Sequence, residues 1–241
     1  VRRFLSLFLI GAACYGALSH FTASGSSNWQ KLDNGLEMRV VTKRQGLSKV
    51  SVTAIRAYPS QIHVATGTSQ WAKDWVKKTG AKAVINGGYF DEKGKPLGLR
   101  IASRNRTNKI LTKANWGVFY IRNNRAYITH TRDYQPSKHT QEAMQCGPRL
   151  VVKGKTTDLK SQWGRRTGVG IEASGKVILA ASDGELSFDD WANIWASKSG
   201  LNCRDALNMD GGGSTQMIVR SKNNPVDIKG AWSVPDVIFA R

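Results

Sequence analysis

Only three cysteines, four histidines and six prolines occur in 241 residues, and 17 acidic side chains stand against 36 basic ones. So few metal-ligating residues exclude a zinc framework. His20, His63, His130 and His139 show no paired spacing, and isolated cysteines do not make a four-ligand set. No apolar run reaches the roughly 20 residues that a membrane-spanning helix needs. After residue 35 there is no Pro/Ser-rich linker, and no repeat period is visible. The chain therefore reads as one enzyme-sized domain, with 40% hydrophobic residues and eight tryptophans to build its core.

The first residues stand apart. Arg2 and Arg3 precede an apolar run over 4–13, and Gly11-Ala-Ala13 precedes Cys14, the layout of an export signal. Gly-Ala-Ala-Cys resembles a bacterial lipoprotein signal in which Cys14 is lipidated, and cleavage near Ser19 or Ser24 is the alternative. The expected organisation is an export segment and tether over 1–34 and a domain over 35–241. Its expected location is periplasmic or otherwise extracytoplasmic, with the N-terminal segment as the only membrane contact. Export leaves Cys146 and Cys203 as an even pair in an oxidising compartment, where a disulfide is the expected state.

Glycine is concentrated where it is informative. In the run from Ala206 to Val219, Leu207 and Met209 alternate with Asn208 and Asp210. Gly211, Gly212 and Gly213 follow, then Ser214, Thr215 and a second apolar stretch, so the segment reads as strand, turn, strand. A glycine triplet belongs where the chain needs positive φ, where backbone approaches a ligand, or where amides form an anion nest. A flexible hairpin loop is the plainer reading. The flanking carboxylate and hydroxyls favour a site. A second turn of the same design, Asn86-Gly87-Gly88-Tyr89-Phe90, follows the apolar run 83–85. If both strands shared one sheet and direction, their ends would share a crevice.

Alternating or apolar runs predict further strands over 36–43, 50–57, 62–65, 116–121, 126–129, 150–152, 169–172, 177–181 and 237–240. One helix is expected over 69–79, with Ser69 as N-cap, Trp71, Ala72, Trp75 and Val76 on the buried face, and Gly80 as terminator. Another is expected over 188–198, capped by Ser187 and burying Trp191, Ile194 and Trp195. Helical spacing assigns these tryptophans to the core rather than to sugar platforms. The fold class is α+β: mixed, mostly antiparallel twisted sheets with hairpins and at least two packed helices.

Asn86-Gly-Gly-Tyr-Phe90, Cys146-Gly-Pro-Arg-Leu150 and Asn208-Met-Asp-Gly-Gly-Gly-Ser214 resemble, in that order, the three landmark motifs of the phosphodiester glycosidase family. The resemblance spans about residues 35–241. It implies a hydrolase acting on a sugar 1-phosphodiester, with the site at these motifs. Glycoside cleavage passes through an oxocarbenium-like state flanked by carboxylates. Asp210 is the candidate carboxylate, Arg149 the candidate phosphate clamp, and Asn86 the orienting amide. Gly87, Gly88, Tyr89, Phe90, Gly211, Gly212, Gly213, Ser214 and Thr215 are candidate substrate contacts. Asp183 and Glu185, expected in a loop, are second-rank carboxylates. No cofactor is expected, and calcium, the ion a lone carboxylate site could recruit, has no supporting motif.

The net charge of +19, dense over 100–113, 122–132, 153–160 and 165–166, draws polyanions. No helix-turn-helix, zinc-finger or RNA-binding signature accompanies it, so nucleic acid is not the expected partner. A phosphate-containing envelope glycan fits charge and compartment together. The alternative function is a non-catalytic periplasmic or cell-surface binding protein for such a glycan.

Overall fold

Strand residues in the largest sheet bury both faces, which explains why their sequences read as nearly unbroken apolar runs. Val50, Val52, Ala54, Ile178 and Ala180 point to one side, and Ile55, Ala57, Val177, Leu179 and Ala181 to the other. The computed structural model describes residues 28–241. In it eight strands lie in the order Gln30–Lys31, Glu37–Gln45, Ser48–Ala57, Val177–Ser187, Trp163–Glu172, Cys203–Asn208, Arg149–Val152 and Lys155–Thr156.

Helix α2 (Phe188–Ala196) covers one face with fully buried Trp191, Ile194 and Trp195. Ser187 caps it as expected, its side chain accepting from Asp190 N. Two five-stranded sheets contribute to the core on the other face. The basic sheet runs Asn105–Asn108, Arg100–Ala102, Thr140–Cys146, Gly117–Arg122 and Arg125–His130. The seam sheet runs Val226–Ile228, Met217–Val219, Ala83–Asn86, Val234–Ala240 and Ile62–Gln70. Every strand pairing in the three sheets is antiparallel, so the fold is a strand-rich α+β without the expected mixture of directions.

Helix α1 (Ala72–Thr79) packs Ala72, Trp75 and Val76 on the seam sheet and ends on Gly80, whose φ is 67°. It starts three residues later than expected. The preceding strand continues through Ser69 because Gln70 still pairs with Val234, so the N-cap is Trp71, 40% exposed and outside the buried face.

Two other expectations need correction. The folded chain begins before residue 35: Trp29 lies under the Arg56 guanidinium, and Leu32 is buried in the core. Cys146 and Cys203 are free thiols, not a bridge. Cys146 packs between the sheets, whereas Cys203 packs on the α2 side, so the large sheet stands between them. Burial pushes the Cys146 thiol up to about 12 and raises Cys203 well above its ordinary value. Residues 1–27, with Cys14 and the export motif, lie outside the described residues.

Candidate active site

The three motifs meet on one carbonyl. Gly147 O accepts from Tyr89 Oη at 2.5 Å and from Asn208 Nδ2 at 3.1 Å. Asn208 N donates to Pro148 O at 3.0 Å, extending the strand into the Cys-Gly-Pro turn.

Asn86 is the second junction. Completely buried at the end of its strand, it donates from Nδ2 to Asp210 O at 2.8 Å. Its Oδ1 accepts from Thr167 Oγ1 at 2.7 Å and Gln216 N at 3.1 Å. Asp210 N donates to Gly87 O at 3.0 Å, so the two glycine turns are joined through both main chain and side chain. The expectation that their strands share a sheet is corrected. Ala83–Asn86 belongs to the seam sheet and Cys203–Asn208 to the large one. Nor does the triplet close a hairpin, for the strand after it, Met217–Val219, is in the seam sheet. The glycines carry the chain between layers.

Asp210 is half-buried at this crossing. Burial raises its pKa. The neighbouring Ser214 hydroxyl and the Gly211 amide oppose the rise, Asp236 adds to it, and Arg100 opposes it. Asp210 Oδ1 accepts from Gly211 N at 2.9 Å, so the first amide of the expected anion nest already serves the protein's own carboxylate. Gly212 has φ 58°, where an L side chain is strained. Ser214 Oγ, Thr215 Oγ1 and Asn208 Oδ1 are buried without a hydrogen-bond partner of ordinary geometry. The Ser214 hydroxyl nevertheless lies close enough to Asp210 to lower its pKa, which leaves Thr215 Oγ1 and Asn208 Oδ1 as the orphans of the turn.

Beneath the first glycine turn lies an ion pair that sequence reasoning missed. Arg100 Nε donates to Asp236 Oδ2 at 2.7 Å, with both side chains completely buried, and Asp236 Oδ1 accepts from Gly88 N at 2.9 Å. Arg100 also donates to the carbonyls of Tyr89, Leu97, Leu99 and Gln145. A Cβ at Gly87 would stand 2.0 Å from Asp236 Oδ1. Gly87 and Gly88 thus make room for a buried ion pair, which corrects their reading as substrate contacts. Neither partner had a local signal, since they lie 136 positions apart.

The other candidates divide. Tyr89 lies at the junction, its ring 5.1 Å from that of Trp116. Phe90 packs with the α1 core instead. Arg149 sits on the right strand, but its guanidinium makes no ion pair or hydrogen bond to Asn86 or Asp210. Its Cγ lies by Gly117, and its charge, after burial, lowers the pKa of His130. Arg165 meets the turn through its main chain, not through its charge. Its carbonyl lies against Gly211, its Nη1 donates to Lys229 O at 2.8 Å, and its Nε is buried without a partner. The basic run before Thr167 was its signal. Asp183 and Glu185 fall within strand Val177–Ser187, not a loop. Asp183 caps Ser51 N, and Glu185 lies exposed opposite Arg165.

Among the described residues no three His, Cys, Asp or Glu side chains are grouped to hold a metal ion. Five surface cavities of 310 to 620 Å³ have other walls than Asp210. One of 330 Å³ includes Gln216, whose amide NH serves Asn86. The chemistry thus sits in a shallow crossing beside a cavity rather than inside one.

The model of the phosphodiester glycosidase family matches residues 79–241, which include all three motifs. The chain belongs to the phosphodiester glycosidase family. Among curated proteins it is 30% identical over 139 residues to the Escherichia coli protein YigE, named as uncharacterized; the match spans about half of each chain, 53% and 54%. Solved structures share its fold. The zebrafish N-acetylglucosamine-1-phosphodiester alpha-N-acetylglucosaminidase catalytic domain, auto-inhibited by its pro-peptide, has a TM-score of 0.66 at 18% identity, covering 92% of this chain and 82% of that one. A hypothetical protein from Synechocystis has 0.61 at 15%, covering 86% and 62%. A putative exported protein of Burkholderia pseudomallei has 0.57 at 12%, covering 80% and 74%.

Proposed function

We propose that this protein is an exported glycosidase that cleaves a sugar 1-phosphodiester of a cell-envelope glycan, with Asp210 as its working carboxylate. The observation that carries the reading is the Asn86–Asp210 junction, with the Ser214 hydroxyl against the carboxylate. The zebrafish relative, whose name specifies a sugar 1-phosphodiester substrate, supports the same reaction class. The +19 charge supports an anionic substrate.

In this reading a phosphate monoester departs with the electron pair of the anomeric C–O bond, so leaving-group protonation is a minor demand. Asp210, made more basic by burial, accepts the proton of the water that adds to the anomeric carbon. Asp236 cannot share this task, because Arg100 and Gly88 N hold it beneath the floor. Arg165 and Arg149 are the candidate phosphate cations; the Arg165 guanidinium donates to Lys229 O, in the loop whose Ala231 and Trp232 amides hold Gly213 O.

One observation favours the second reading, a non-catalytic binder of an anionic glycan: Arg149 is not joined to Asp210. A panel of sugar 1-phosphodiesters and aryl glycosides separates the two. Turnover confined to the phosphodiesters supports the enzyme, and binding without turnover supports the binder.

A further inference from the structure

Trp232 is 60% exposed, yet it is firmly held. An indole left in water forgoes about 1.5–3 kcal/mol of burial. Its loop, residues 229–233, joins Val226–Ile228 to Val234–Ala240 and is tied down along its length. Ala231 N and Trp232 N both donate to Gly213 O, at 2.7 and 3.2 Å. Gln216 Nε2 donates to Trp232 O at 3.0 Å, and Arg165 Nη1 to Lys229 O at 2.8 Å. Gln216 is also the residue whose amide holds Asn86 Oδ1, so the loop is registered against the Asp210 junction.

The ring rests on the glycine triplet. A Cβ at Gly213 would come within 2.9 Å of Cδ2, Cε2 and Cε3 of the indole. Three ring atoms at one distance mean that the ring lies face-on, so the third glycine is explained by the tryptophan it carries. The opposite face is left to solvent. Next in the chain come Ser214 and Thr215, both completely buried, and the Ser214 hydroxyl lies against the Asp210 carboxylate. An open aromatic plane on the turn that carries a half-buried carboxylate matches a pyranose, which has an apolar C–H face and a hydroxylated rim.

We propose that Trp232 is the saccharide platform of the Asp210 site, stacking the C–H face of a pyranose on its open side. The proposal rests on the glycosidase reading for the identity of the site, but binding to the platform does not require cleavage. Trp232 is a positioning residue here.

The test titrates the full chain calorimetrically with glucose, N-acetylglucosamine and mannose, free and as 1-phosphates, using wild type, Trp232→Ala and Trp232→Phe. At least one pyranose should bind. Trp232→Ala should weaken it about tenfold or more, and Trp232→Phe, which keeps a flat face, should stay within about threefold of wild type. Unchanged thermal midpoints would separate this loss from misfolding. Equal affinity in wild type and Trp232→Ala, or no binding by any of these sugars, overturns the platform. Binding through Trp232 without phosphodiester turnover upholds the platform and sinks the glycosidase reading. Turnover with unchanged KM in Trp232→Ala does the reverse.

Discussion

Asn86 Nδ2 donates to the main-chain carbonyl of Asp210 at 2.8 Å, across 124 positions of sequence. With Thr167 and Gln216 on its other end, this one amide ties strands of two sheets to the turn that carries the carboxylate. Asn86→Ala should therefore cost about 3 kcal/mol or more, because it leaves a buried hydroxyl, an amide and a carbonyl unpaired. Urea denaturation measures the loss; a change below about 1 kcal/mol would contradict the junction's structural role.

Asp210→Asn should lower phosphodiester turnover at least about a hundredfold while the fold persists. It should also make the protein more stable at neutral pH. Burial raises the folded-state pKa of Asp210, so its ionised form destabilises the fold as pH rises through and beyond the window between the unfolded and folded values. The stability gain of Asn over Asp should vanish on acidification below the unfolded value. Thermal melts across pH, compared with turnover, test both halves, and retained activity would remove Asp210 from the mechanism.

Glu37 has the opposite sign. Hydrogen bonds from Arg56 and Lys176 hold its carboxyl down to about 2, from an ordinary value of 4.5. Its stabilisation is present above pH 4.5 and is lost as pH falls through about 2. Glu37→Gln should cost about 1–2 kcal/mol at pH 7, more than a simple exposed pair because Arg56 grips it with two nitrogens. Denaturation at pH 7 and pH 2 should show that difference shrinking.

Gly87→Ala should be destabilising by about 3 kcal/mol, the upper range for overpacking, since the new methyl meets Asp236 Oδ1 at 2.0 Å. Thermal denaturation reads it. A neutral result would mean that the Arg100–Asp236 pair can move aside.

Non-reducing peptide mapping should recover the Cys146 and Cys203 peptides separately. Both thiols should resist alkylation in the native protein, because burial keeps them protonated at neutral pH. A linked peptide would require the large sheet to be arranged differently.

Much of the fold was legible because its signals are local. Alternation in 50–57 and 177–181 located the central strands. Ser187 with Asp190 located the start of α2, and Gly80 the end of α1. The start of α1 was missed because Gln70 continues a strand by pairing with Val234, a partner far along the chain. The candidate site was legible as residue types: Asn86, Asp210, Ser214 and Thr215 stand out by their company of glycines. Arg100, Asp236 and Trp232 were invisible, since nothing near them in sequence marks a buried ion pair or an indole laid on a glycine.

By itself the sequence determined the element types and the family motifs, because hydropathy period, turn residues and capping act over a few neighbouring positions. Tertiary structure alone decided that the two glycine turns come from different sheets, that Cys146 and Cys203 face opposite sides of a layer, and that the Arg165 main chain packs on Gly211. Such outcomes depend on how sheets stack and in which register. That is set by the summed packing of side chains far apart in the chain, and no local stretch encodes it.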